Sequence, residues 1–153
     1  DFPEWELHFY GENYSNTKEE LQYKINKLNL AQQIKILPPV EDLQKTMLNY
    51  SIYAMTSISE CFPMVLLEAF SVGLPVISYD CPTGPRNIIT NEEDGFLIRK
   101  KDKKEYLYYL KELMTKEDIR IKIGKQAKKN ILKFSNEQVM KKWNDLFLEL
   151  CNV

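Results

Sequence analysis

"SIYAMTSISECFPMVLLEAFSVGLPVISYD", residues 51–80, carries three signals in succession. Its opening, "SIYAMTS" (51–57), reads as a short strand. The middle, over 63–72, is apolar for long enough to make a helix that starts at Pro63. "LPVISYD" (74–80) is a continuous apolar run of the kind buried on both faces of a parallel sheet. Strand, helix and strand in close succession form a crossover unit whose two strands run parallel. That unit decides the fold class.

The flanks repeat the alternation. Upstream, "WELHFYG" (5–11) alternates apolar with polar residues and stops at Gly11, which predicts a strand and a turn. Thr17 and Glu20 have capping-box spacing and open a helix over 17–29, with Leu21, Ile25 and Leu28 on one face. "QIKIL" (33–37) predicts a second strand, stopped by Pro38 and Pro39, and a short helix over 41–49 leads to residue 51. Downstream, Gly84 and Pro85 start a short helix, with proline in the first turn where its missing N–H costs nothing. "GFLI" (95–98) is the last strand, and helices follow over 102–115, 117–132 and 135–151. Ser135 and Gln138 supply a second capping box for the final helix. Strands alternating with helices through short links predict one α/β domain over 1–153, a doubly wound parallel sheet covered on both faces.

A chain of 153 residues is long enough to bury a core. With 44% apolar residues, 28% charged residues and a net charge of -1, nothing favours nucleic acid as a partner. Lys100, Lys101, Lys103 and Lys104, and again Lys122, Lys125, Lys128 and Lys129, are mixed with acids and tyrosines and read first as solvated helix faces. Peripheral contact with an anionic membrane is their secondary reading. Cys61, Cys81 and Cys151 lack Cys-x-x-Cys spacing, which argues against a disulfide framework or zinc site and favours a reducing cytoplasm. No stretch reaches the roughly 18 apolar residues that cross a bilayer, and no signal peptide opens the chain. The first residues already head into a strand without an initiator methionine, so the chain reads as a piece of a longer protein.

In a doubly wound sheet the ligand site lies outside the carboxyl ends of the strands, where loops lead into helix N-termini. That rule selects the loops 11–16, 38–41, 57–63 and 80–85. The third holds Glu60, and the helix after it holds Glu68 among Met64, Val65, Leu66, Leu67, Ala69 and Phe70. A carboxylate in that setting needs a specific partner to offset its desolvation. A buried ion pair and a ligand hydroxyl serve equally well. Glu60 alone is an ordinary loop acid. As a pair, the two stand on the order of 10 Å apart at a rise of about 1.5 Å per residue. That is close to the span from the ribose of a nucleoside diphosphate to a sugar beyond its phosphates. Each carboxylate accepts hydrogen bonds from vicinal hydroxyls, and the unpaired amides at the helix start suit phosphate. One acid then holds ribose and the other the sugar.

Residues 57–77, "SISECFPMVLLEAFSVGLPVI", resemble the signature of family 4 retaining glycosyltransferases with the GT-B fold, Ser-x-x-Glu-Gly-Phe-Pro-x-x-Leu-x-Glu-Ala-x-x-x-Gly-x-Pro-Val. "SYDCPTGPRNIITNEEDGFLI" (78–98) and "KFSNEQVMKKWNDLF" (133–147) match too, so the resemblance covers essentially the whole chain in order. It implies the C-terminal, donor-binding, Rossmann-like domain of a two-domain enzyme, without its first strand and helix and without the N-terminal acceptor domain. It implies that Glu68 holds the ribose hydroxyls and that Glu60, the catalytic candidate, contacts the transferred sugar. Cys61, Phe62, Pro63, Met64 and Val65 would line the phosphates and sugar, and Leu37, Pro38, Pro39 and Val40 would border the nucleobase. The expected activity moves a sugar from a UDP- or GDP-sugar to a glycan or lipid-linked acceptor, in bacterial surface polysaccharide synthesis. No metal or other cofactor is expected, and the Arg and Lys that the family sets on the diphosphate would come from a segment before this chain. The chain alone is expected to bind donor weakly and to transfer nothing. Its expected location is the cytoplasm, with peripheral contact at the inner face of the membrane as the secondary expectation.

Three positions depart from the family pattern. Cys61 stands for the usual glycine, which narrows the sugar pocket and strains the backbone if the glycine is left-handed. Pro38 stands where glycine is common and removes an amide. Asn87 stands where glutamate is frequent. Elsewhere His8 reads as a packed strand residue, Asp80 as a turn acid or a ligand contact, and Gly84 with Arg86 as a minor phosphate contact. Tyr106, Tyr108 and Tyr109 read as packing. No Gly-x-Gly-x-x-Gly or phosphate-loop pattern occurs, which argues against dinucleotide redox work and NTP hydrolysis. A non-catalytic nucleotide-sugar-binding module and a GT-B nucleotide-sugar epimerase stand as the alternative functions.

Overall fold

A computed structural model of the chain describes residues 2–14 and 16–151. The chain divides into two compact units, residues 1–43 and 44–153, each built on its own parallel ladder. The α/β class predicted from the alternation of strands and helices holds in both. Ser15, inside the 11–16 loop, lies outside the described residues, as do Asp1, Asn152 and Val153.

The first unit contains β1 (Leu7–Tyr10), α1 (Thr17–Lys27) and β2 (Ile34–Leu37). Its strands pair in parallel from Leu7 with Ile34 to Tyr10 with Leu37. The capping box predicted at Thr17 and Glu20 does not form. Asn16 takes a left-handed conformation (φ 59), so Thr17 is already helical. Thr17 Oγ1 instead donates to the Tyr14 carbonyl at 2.7 Å. Asn13 takes over the capping: its Oδ1 accepts the Lys18 N–H at 3.0 Å, and its Nδ2 donates to Glu19 at 2.9 Å. The helix ends in a Schellman pattern, with Asn29 left-handed (φ 55) and the Leu30 N–H on the Ile25 carbonyl at 3.0 Å. That early stop explains a second difference. Ile25 is buried at 2% exposure, but Leu28 lies past the last helical residue and is 64% exposed. His8 is packed as expected, with 17% side-chain exposure and a 2.8 Å contact from Nε2 to Glu6 Oε2.

The five-residue helix α2 (Leu43–Met47) spans the boundary of the units in sequence. The second unit follows with β3 (Tyr53–Met55), α3 (Met64–Val72), β4 (Val76–Asp80), β5 (Phe96–Arg99), α4 (Lys103–Thr115), α5 (Glu117–Asn130) and α6 (Asn136–Cys151). Short 3₁₀ turns stand at Pro85–Asn87 and Ile131–Phe134. The second of these cuts short the helix expected to reach 132.

β4 is the central strand, parallel to β3 on one side and β5 on the other. Its Val76, Ile77 and Ser78 are fully buried, as its apolar run predicts. β3 is shorter than the expected 51–57. It pairs only from Tyr53 with Val76 to Met55 with Ser78, and the chain then leaves the ladder as a loop. The core gathers Ile77, Phe96, Ile98, Tyr106, Leu113 and Ile123 from β4, β5, α4 and α5. Tyr106 packs on Tyr79 at 4.7 Å and Tyr109 stacks on Phe96 at 4.4 Å, whereas Tyr108 is 60% exposed. The lysines of both runs are exposed. At the start of α6, Ser135 Oγ accepts the Gln138 N–H at 3.3 Å, one half of the capping box expected there, while the Ser135 N–H is bonded to the Leu132 carbonyl at 3.0 Å.

Asp94 is a structural residue hidden in a polar turn. It is fully buried; its Oδ1 accepts the Thr90 N–H at 2.7 Å and its Oδ2 accepts Asn130 Nδ2 at 2.8 Å. The turn before β5 is thereby tied to the end of α5. Asp94→Ala is expected to cost about 1–3 kcal/mol, because it removes a buried carboxylate that accepts hydrogen bonds from Thr90 and Asn130 and so unties the turn from α5. Urea denaturation checks this, and Asn130→Ala added to Asp94→Ala should then cost little more. A midpoint unchanged by Asp94→Ala would remove the residue from the account of stability.

Candidate functional site

The loop 56–63 leaves β3 and enters α3 at Pro63, which caps the helix in extended conformation (φ −71, ψ 98) with no side-chain hydrogen bond. The first turn closes from the Leu66 N–H to the Pro63 carbonyl at 3.0 Å. The amides of Met64 and Val65 precede that bond and carry the positive end of the helix. An anion is the ligand that such a terminus accepts. The far end stops where Gly73 turns left-handed (φ 74) and the Leu74 N–H reaches the Ala69 carbonyl at 2.9 Å.

Glu60, Cys61, Phe62, Pro63, Met64, Val65 and Glu68 all lie in the second unit, on this loop and helix start. Glu60 and Glu68 are both half-buried. Among the described residues, neither carboxylate has a hydrogen bond or an ion pair with another side chain. Glu68 is therefore not the buried ion pair that would explain an acid in an apolar helix. Tyr53 links the two acids. Burial pushes its hydroxyl up to about 12, and the negative charges of Glu60 and Glu68 add to the rise. Both carboxylates thus stand within electrostatic reach of one un-ionised phenol, a neighbour that residue spacing gave no reason to select.

Apolar side chains on the same loop and helix start are left open to solvent. Met64 is 60% exposed and Ile58 73% exposed, while the Phe62 ring meets Phe134 edge-on at 5.7 Å. Cys61 is exposed, and it is absent from the left-handed residues, which are Asn16, Asn29, Thr83, Glu92 and Lys101 among the described non-glycines. Its departure from the family's glycine therefore brings no backbone strain.

The loop 80–85 supports the loop that carries Glu60. Glu60 and Thr83 form an isolated parallel bridge, and Thr83 Oγ1 donates to the Glu60 carbonyl at 2.8 Å. A Cβ on Gly84 would stand 2.8 Å from Pro63 Cδ and 2.9 Å from Glu60 Cβ, so glycine is needed for the approach. Asp80 resolves as an ion-pair acid: Arg86 Nε and an Nη bind its two oxygens at 2.9 and 2.7 Å. The Arg86 fork is occupied by that pairing. Nearby, Asp80, Leu97, Arg99, Asp102, Lys104 and Glu105 line an open cleft of about 700 Å³, which does not include the two glutamates. Leu37, Pro38, Pro39 and Val40 belong to the first unit, where Leu37 ends β2, both prolines are exposed and Val40 is half-buried. Among the described residues no three His, Cys, Asp or Glu side chains gather to hold a metal ion, and no helix is long and apolar enough to cross a membrane.

Comparison with known proteins gives consistent results. The sequence profile of "Glycosyl transferases group 1" matches residues 1–130. The amylovoran biosynthesis glycosyltransferase AmsD of Erwinia amylovora is 33% identical over 142 residues, which are 93% of this chain and 39% of that protein. The chain therefore spans well under half of that relative. A crystal structure of a TarM mutant from S. aureus, in complex with Fondaparinux, alpha-GlcNAc-glycerol and UDP, matches with a TM-score of 0.85 and 25% identity. That match covers 93% of this chain and 29% of TarM. The C-terminal domain of a glycosyl transferase group 1 family protein, LpcC of Francisella tularensis, matches in fold with a TM-score of 0.77 at 24% identity, over 87% of this chain and 71% of that one.

Proposed function

The chain belongs to the glycosyl transferases group 1 family, and from that membership we propose that it is the donor-binding domain of a retaining glycosyltransferase. Its fold is that of the C-terminal, Rossmann-like domain of GT-B glycosyltransferases, and its relatives include the amylovoran biosynthesis glycosyltransferase AmsD. The proposed donor is a UDP- or GDP-sugar and the proposed acceptor a glycan or lipid-linked glycan. The observation that carries this reading is the pair of carboxylates, Glu60 and Glu68, left without side-chain partners on either side of an uncapped helix N-terminus. The UDP bound to TarM supports the choice of ligand class.

In this proposal Glu68 accepts hydrogen bonds from the ribose hydroxyls, and Glu60 accepts them from the sugar to be transferred. The Met64 and Val65 amides, with Cys61, Phe62 and Pro63 beside them, receive the diphosphate. As the bond from the sugar to the diphosphate breaks, negative charge builds on the leaving phosphate, and preorganised donors at a helix start stabilise that charge. Leu37, Pro38, Pro39 and Val40 border the base. The acceptor site and the basic residues on the diphosphate belong, in this reading, to the longer protein. Three unpaired cysteines suit a reducing cytoplasm, the proposed compartment.

Calorimetric titration of UDP and GDP into wild type and Glu68→Ala tests the ribose assignment. Loss of charge-assisted hydrogen bonds worth about 1.5–3 kcal/mol predicts binding weaker by roughly 10- to 100-fold. Equal affinity for the two proteins would sink the assignment. A donor screen on the full-length enzyme then selects base and sugar.

A further inference from the structure

Thr83 alone among the described residues combines a β-branched side chain with a left-handed backbone, at φ 68. Left-handed backbone crowds a Cβ, and most of all a branched one, so glycine or asparagine is the ordinary occupant. The hydroxyl explains what the position gains. Thr83 Oγ1 lies 2.8 Å from the Glu60 carbonyl and 2.7 Å from the Pro82 carbonyl. The Thr83 carbonyl in turn accepts a short hydrogen bond from Asn87 Nδ2, the side chain that replaces the family's frequent glutamate. With the bridge between Glu60 and Thr83 and the close approach of Gly84, these contacts fix the peptide of one residue, Glu60.

We propose that Thr83 is the positioning residue for Glu60: its strained backbone and hydroxyl hold the Glu60 peptide so that the carboxylate stands where the donor's sugar arrives. This rests on the reading of Glu60 as the sugar contact. Thr83 itself touches no substrate, and its effect is confined to the sugar end of the donor.

The test uses the full-length enzyme, with UDP and GDP as sugar-free probes and UDP-glucose, UDP-N-acetylglucosamine and GDP-mannose as sugar-bearing ones. Calorimetry measures affinity, and steady-state transfer with the preferred donor separates kcat from KM. Thr83→Val keeps the shape and removes the hydroxyl; Thr83→Asn accepts the left-handed backbone without reproducing the hydroxyl. Both are expected to bind the free diphosphate within about twofold of wild type, and to lose about tenfold in sugar-dependent affinity or in kcat, the size of one well-placed hydrogen bond. Thr83→Ser should restore most of the loss. Glu60→Ala runs in parallel. If Glu60→Ala keeps the wild-type preference for sugar-bearing probes, the reading of Glu60 falls and the role of Thr83 with it. If Glu60→Ala loses that preference while Thr83→Val and Thr83→Asn keep it, the positioning role alone is overturned. Equal losses toward diphosphate and sugar-bearing probes in both Thr83 variants would mark a purely structural residue and overturn it as well.

Discussion

Alanine at position 124 is expected to destabilise the second unit by about 3 kcal/mol, the upper end for overpacking. The sign opposes the usual rule, since Gly→Ala inside a helix gains about 1 kcal/mol from propensity alone. A Cβ on Gly124 would overlap the Gly73 carbonyl oxygen and stand 3.2 Å from its carbon. Neither atom is the tip of a flexible side chain. Gly73 is the left-handed cap of α3, and its N–H is bonded to the Phe70 carbonyl at 3.0 Å. The clash therefore has to part α3 from α5, and it loosens Phe70 and Ala127, both fully buried. Urea denaturation should show a clear fall in the midpoint for Gly124→Ala. Lys125→Ala, exposed on the same helix, should move it little. A Gly124→Ala midpoint at or above wild type would mean that the two helices separate freely, and the close-approach account would be discarded.

That contact also shows where sequence reading stops. The central strand was legible because Val76 and Ile77 are apolar without alternation, and Gly73 and Pro75 punctuate the run. The helix before it was legible from its length, and the acids stood out against its composition. Those signals are local. Gly73 and Gly124 need each other because two distant helices cross there, and a lone glycine in "KIGKQ" carries no mark of its partner. Asp94 sits in "NEEDG", where three acids look alike; only the meeting with Thr90 and Asn130 separates the buried one from its exposed neighbours. The failed capping box has the same cause. Thr17 and Glu20 have the right spacing, but the left-handed Asn16 shifts the helix start by one residue and gives the cap to Asn13. Tyr53 escaped selection because its relation to Glu60 and Glu68 is electrostatic and spans the strand and the loop after it. Cys61 carries no backbone strain because its φ is not positive, a property that residue type alone does not disclose.

Alanine at Gly84 is expected to damage transfer far more than folding, which separates it from Gly124. The added Cβ would meet Pro63 Cδ at 2.8 Å, Glu60 Cβ at 2.9 Å and the Glu60 carbonyl at 3.3 Å. A proline ring and a Cβ have no rotamer by which to yield, so the loop that carries Glu60 has to move as a whole. Gly84 keeps φ at −92, outside the left-handed region that favours glycine, so the displacement of the neighbouring loop is the source of the expected effect. That loop hangs on few bonds, among them the one from Thr83 Oγ1 to the Glu60 carbonyl, and its shift should cost the fold only about 1 kcal/mol. The chemistry is less forgiving. A misplacement of about 1 Å in a reacting constellation costs on the order of 100-fold in rate. On the proposed function, Gly84→Ala in the full-length enzyme should lower kcat/KM about 100-fold with the preferred donor, while UDP or GDP affinity, shared between Glu68 and the helix-start amides beside Pro63, falls less. Adding Thr83→Val should then cost little further, since both changes release the same peptide. A Gly84→Ala enzyme with wild-type kcat/KM would show that Glu60 tolerates displacement, and the residue could no longer be held to grip the sugar as it leaves the diphosphate.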